Sequence, residues 1–172
     1  HQGSLPDRQG RSVRKFLLQK RHWPACTAGP EIRRENPMVY RIFVEKRKEY
    51  AVEAQEVLTN LKTQLKIDAL EDLKIVNRYD VQGVDEKYLK EGISVILSEP
   101  MVDDVIMEDY PNPNNNVVFG IEYLPGQYDQ RADACEQCFQ LLTGEKNVIV
   151  KCAKIIVLEG CISPLEVDKI KK

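Results

Sequence analysis

Two cysteines three apart, Cys135 and Cys138, close a polar run that holds Gln127, Asp129, Gln130, Arg131 and Asp133. Cys-x-x-Cys is the spacing of thiolate metal ligands and of thiol–disulfide exchange. Arginine and glutamine beside a Pro-Gly break (Pro125-Gly126) are groups that grip a carboxylate or a phosphate. The surroundings decide between these chemistries.

A structural zinc site needs a second ligand pair. Downstream of Met38 the only other cysteines are Cys152 and Cys161, with eight residues between them. Both histidines, His1 and His22, precede Met38. Residues 38–172 therefore cannot build a Ser-His-Asp or Cys-His nucleophile. A redox Cys-x-x-Cys sits at a helix N-terminus, where the thiolate is stabilised. Here the pair falls inside a helix predicted after Asp129 or Asp133, on the stripe Ala132, Cys135, Phe139 and Leu142. The cysteines read as packing residues rather than as a metal or redox site. The aspartates complement the helix dipole. The dipole does not account for Gln127, Gln130 and Arg131, so Gly126, Gln127, Asp129, Gln130, Arg131 and Asp133 form the first candidate contact surface, with cap and loop shape alone as the plainer reading. Asn77, Arg78 and Tyr79, polar groups interrupting a strand, form a weaker second patch, with a solvated strand end as the plainer reading.

Composition narrows the partners. The chain has 172 residues, 42% hydrophobic and 30% charged, which suits one globular domain with an appendage. Residues 1–37 hold eight Lys/Arg against three Asp/Glu, so the 17 other basic and 24 other acidic residues lie in 38–172. An acidic body without a basic-aromatic stripe argues against nucleic acid. No apolar run reaches the roughly 18 residues of a membrane span. An odd count of five cysteines without a secretory signal argues against a disulfide framework and for the cytoplasm. Residues 1–37 lack a sustained apolar period and are expected to be a non-native or disordered leader, with a basic arm as the other reading. Met38 is the expected true start.

From Met38 the elements alternate. Val39–Lys46 alternates as a strand, with Tyr40, Ile42 and Val44 on its strongly apolar face. A helix over 49–66 carries Ala54, Val57, Leu58, Leu61 and Leu65 on one stripe. A strand follows over 73–81. Asp85 is placed to cap a helix over 86–98, which Pro100 ends. A short strand over 103–109 and an asparagine-rich loop over 110–116 come next. The strand 117–124, the helix to about Leu142 stopped by Thr143-Gly144, and a long strand over 147–160 follow. Ser163, Pro164 and Glu166 spell a capping box with proline at its favoured place, so another helix begins there. No glycine-rich phosphate loop accompanies this order. The expectation is an α+β fold, ferredoxin-like, with helices on one face of an antiparallel sheet and two related halves, the second truncated.

"MVYRIFVEKRKEYAVEAQ" (38–55), "NRYDVQGV" (77–84), "SEPMVDDV" (98–105) and above all "EYLPGQYDQRADACEQC" (122–138) resemble the N-terminal, PurS-like domain of the large single-chain phosphoribosylformylglycinamidine synthase of clostridial type. The resemblance covers nearly all of 38–172 and none of 1–37. It implies a parent ligase of purine biosynthesis. That enzyme turns formylglycinamide ribonucleotide, ATP and glutamine into the amidine, ADP, phosphate and glutamate. It implies ATP and magnesium in a synthetase domain and a Cys-His-Glu triad in a glutaminase domain, with no cofactor in this fragment. By the same resemblance this domain packs between those two and helps enclose the ammonia path, and the fragment alone is catalytically inert. Self-association of the fragment stays open, as does a free-standing ferredoxin-like module using 125–133 as a small-anion site.

Overall fold

The computed structural model describes residues 4–6, 12–17, 38–112, 114 and 116–171. Five strands downstream of Met38 make one antiparallel sheet: β3 (Val39–Lys46), β4 (Leu70–Gln82), β5 (Asp103–Met107), β6 (Val117–Tyr123) and β7 (Ile149–Gly160). Two short strands of the leader, β1 (Ser4–Pro6) and β2 (Ser12–Leu17), extend it. The order is β1-β2-β6-β7-β4-β3-β5. In it β2 pairs with the outer edge of β6, from Val13↔Tyr123 to Leu17↔Phe119. The expectation for the rest of 1–37 lies outside the described residues.

Four α-helices complete the described residues: α1 (Val52–Leu65), α2 (Glu86–Gly92), α3 (Gln130–Thr143) and α4 (Pro164–Ile170). All lie on one face of the sheet, and the registers show why. Ile42 pairs with Tyr79, Tyr79 with Cys152, and Ile75 with Ile156, which itself faces Phe119. Those positions share one side of the pleat. On it Ile42, Val44, Tyr79, Val81 and Val150 pack with Leu89, Leu97, Cys135 and Phe139 from α2, its extension and α3. Leu73, Phe119, Ile156 and Leu158 pack with Ala54, Leu58, Leu61 and Ile170 from α1 and α4. The fold is thus α+β, with the expected layering of helices on one face of an antiparallel sheet.

The opposite face is apolar at its centre as well. Phe43, Val76, Val118, Ala153, Ile155 and Val157 are buried there, with Tyr110 tilted against Phe43 at 5.6 Å between rings. In β3 this buries Phe43 on the face opposite Ile42 and Val44, while Val39, Arg41 and Glu45 on that face stay at least partly exposed.

Local chemistry sets the helix ends. Asp129 accepts hydrogen bonds from the backbone N–H of Arg131 and Ala132, and Gly144 closes α3 at φ +75°. Ser163 and Glu166 form the expected capping box on α4. Three details depart from the sequence reading. Lys48–Tyr50 form a 3₁₀ turn, so α1 begins at Val52. Asp85 occupies the N-cap of α2, but its side chain makes no capping bond. Leu65, at the frayed end of α1, is exposed rather than in the core. Past Gly92 the helix widens to a π turn over Ile93–Leu97, with Ser98 N–H donating to the Ile93 carbonyl at 2.9 Å.

Gly92 lets α2 approach α3. A Cβ built there would stand 2.2 Å from Phe139 Cε1, and Phe139 is fully buried. Gly92→Ala improves helix propensity by about 1 kcal/mol yet forces the ring aside. The expected net outcome is destabilisation by about 1–3 kcal/mol in urea unfolding, with part of the loss recovered in Gly92→Ala/Phe139→Leu.

Candidate functional site

The two predicted patches meet across the helix-bearing face. Arg131, in the first turn of α3, donates from its guanidinium to the Asn77 side-chain oxygen on β4. The Tyr79 hydroxyl lies beside the same guanidinium. Asn77 pairs across the sheet with Lys154 of β7, and Lys154 Nζ reaches Glu53 Oε1 on α1 at 2.6 Å. Arg131, Asn77, Lys154 and Glu53 therefore form a continuous polar seam between α3 and α1. It divides the apolar cluster under α2 and α3 from the one under α1 and α4.

The seam is partly open to solvent. Arg131 and Glu53 are exposed, and Lys154 and Asn77 are half-buried. It offers an arginine fork, an ammonium, an amide and a carboxylate, which together match a mixed polar surface. None of these groups is a nucleophile. The buried Tyr79 beneath Arg131 has its pKa pushed up to about 12, mainly by burial, with the Arg131 charge opposing the shift. Tyr79 is thus neutral at physiological pH, its hydroxyl oxygen turned to the Arg131 donors.

The remaining residues of the first patch shape its loop. Gln127 Oε1 accepts from the Leu124 N–H at 3.1 Å, and its own N–H donates to the Leu124 carbonyl. Gly126 turns the chain at φ +86° with open space about it. Asp133 accepts from the Tyr128 hydroxyl and from Gln137 Nε2, each at 2.8 Å. Gln130 is exposed at the start of α3.

Arg78 parts from its neighbours. Alternation in β4 sends it to the helix-free face, where it is 5% exposed and stands 3.4 Å from Asp80 and 3.6 Å from Glu122. Burial depresses its pKa, and Asp80 opposes this. Arg41 makes a two-pronged pair with Asp80 at 2.7 and 3.1 Å. "NRYD" is thus neither a solvated strand end nor one patch: its residues serve opposite faces, and Arg78 and Tyr79 are both buried.

The cysteine pair also divides. Cys135 is buried under α3, whereas Cys138 is exposed one turn on. Among the described residues no three His, Cys, Asp or Glu side chains converge as metal ligands. Among them, too, no helix is long and apolar enough to cross a membrane.

Sequence reasoning missed Glu53 and Lys154. A signal existed for Lys154: it shares the parity of Val150, Ile156 and Leu158, so a charge falls on the helix-facing side of an otherwise apolar strand. The chain matches no protein-family model, no curated protein and no solved structure.

Two outcomes are expected. Asp129→Ala removes the α3 cap and costs about 1 kcal/mol in chemical unfolding. Tyr79, whose folded pKa lies above its ordinary 10.0, stabilises the fold fully below pH 10, and that contribution disappears as pH rises through about 12. Between these pH values the wild type should lose about 2 kcal/mol more stability than Tyr79→Phe.

Proposed function

We propose that residues 38–172 are the PurS-like scaffold domain of a single-chain phosphoribosylformylglycinamidine synthase, with the polar seam and the 125–133 loop as its surface against the synthetase and glutaminase domains. The observation that carries the reading is the junction of Arg131 with Asn77 and Tyr79. Arg131 and Asn77 come from two separate stretches of the family resemblance, 122–138 and 77–84, and the fold joins them at the surface, with Tyr79 buried beneath. A contact surface of this composition positions neighbouring domains and needs no nucleophile of its own.

Element spacing supports the two related halves expected of such a domain. Val39 and Val117 open β3 and β6, 78 residues apart. The same interval of 78 separates Val52 from Gln130, Leu65 from Thr143, Gln82 from Gly160, Glu86 from Pro164 and Gly92 from Ile170. The left-handed caps Lys66 and Gly144, and the buried Ala54 and Ala132, obey it too. The halves β3-α1-β4-α2 and β6-α3-β7-α4 then meet antiparallel along β4 and β7. In that arrangement Glu53 and Arg131 are equivalent positions, and each reaches a polar residue on the strand of the other half.

The domain contributes no catalytic group in this reading. ATP and magnesium belong to the synthetase domain and the amide-releasing triad to the glutaminase domain of the parent enzyme. The four free cysteines among the described residues suit a cytoplasmic enzyme.

Arg131→Ala in the complete synthase tests the proposal. Glutamine-dependent turnover should fall about tenfold, the equivalent of one lost interdomain anchor, while ammonia-dependent turnover stays within about twofold. Equal losses in both assays would assign Arg131 to folding or substrate binding. Calorimetric binding of phosphate or a ribonucleotide by the isolated chain, abolished in Arg131→Ala, would replace the scaffold with a free-standing anion-binding module.

A further inference from the structure

Cys135 has a partner that the Cys-x-x-Cys spacing conceals. Glu136 Oε1 on α3 accepts a hydrogen bond from the Val150 N–H on β7 at 2.8 Å, which fixes the register of helix over strand. One residue before Glu136 is Cys135; two residues beyond Val150, on the same side of the pleat, is Cys152. Both belong to the packing cluster beneath α3, close enough for each thiol to shift the other's pKa. Cys135 is buried and Cys152 partly exposed. Arg131, one helical turn before Cys135, adds a positive charge next to them.

From this geometry we propose that Cys135 and Cys152 form a dithiol modification site, oxidised reversibly to a disulfide that staples α3 to β7. Nothing in the scaffold reading calls for it, and it stands without that reading. The co-reactant is a low-molecular-weight disulfide. The Cys135 thiolate attacks it, forming a mixed disulfide and expelling one thiolate. Cys152 then gives up its proton and attacks the Cys135 sulfur, expelling the second. Two protein thiols lose two protons and two electrons; one small disulfide becomes two small thiols. The neighbouring Cys152 thiol and the Arg131 charge pull the Cys135 thiol below its ordinary pKa, against burial, while Cys135 and burial push Cys152 up. Exchange of this kind needs one thiolate and one resolving thiol, and the pair supplies both.

The test uses the full chain with Cys26, Cys138 and Cys161 replaced by serine, leaving only this pair. The folded protein is exposed to oxidised glutathione, quenched with iodoacetamide and digested with trypsin. A linked pair of peptides, 132–146 with 152–154, is expected. It should form faster in the folded chain than in urea, revert with dithiothreitol and be absent in Cys152→Ser. Two glutathione adducts without a link, free thiols throughout, or a link formed only in urea would overturn the proposal and leave both cysteines as packing residues.

Discussion

The β4–β7 ladder is the constraint on which the rest of the structure depends. It runs from Leu70↔Gly160 to Gln82↔Ile149, with one irregularity between Leu70 and Asp72. It joins the chain before the asparagine-rich loop to the chain after it, with β3 and β5 outside on one side and β6 on the other. Each ladder hydrogen bond contributes only about 1 kcal/mol net. What secures the ladder is the burial of Val76, Ile155 and Val157 on one face and Leu73, Ile156 and Leu158 on the other. A one-residue slip would exchange both faces at once.

That ladder also creates the seam. Asn77 and Lys154 are cross-strand partners at its middle, facing the helices. A polar pair in that position carries a desolvation cost unless each member is satisfied. Arg131 satisfies one and Glu53 the other, from helices on opposite sides. The helix layer consequently packs as two pairs, α2 with α3 and α1 with α4, over two separate apolar clusters. The exposed tops of the seam are what the proposed interdomain surface consists of. On the opposite face charge is handled differently: Arg41, Asp80, Arg78 and Glu122 ring an apolar centre in mutual pairs.

Much of the fold was legible because its signals are local. Strand alternation located β3 and β6, helical stripes located α1 and α3, and the serine-proline-glutamate pattern located α4. Each reports on contacts within a few residues. The errors have one source. Cap bonding at Asp85, exposure of Leu65 and burial of Phe43 and Arg78 depend on which element lies across the way. The Cys-x-x-Cys motif shows the limit most clearly. Its spacing is local, but α3 turns Cys135 inward and Cys138 outward, and Cys135 shares its packing cluster with Cys152, on the next strand.

By itself the sequence determined the element order, the α+β class, a cap of α3 at Asp129 or Asp133, the lack of histidine chemistry from residue 38 onward and the residue set from Gly126 to Asp133. Tertiary structure decided which of those residues act together. Asn77 and Arg131 are 54 positions apart, and Glu53 and Lys154 are 101 apart. Their meeting requires the register of β4 on β7 and the seating of two helices over it. Pairing of that kind is a property of the closed sheet, where side chains distant in the chain share one desolvated surface, and no periodicity within a single segment encodes it.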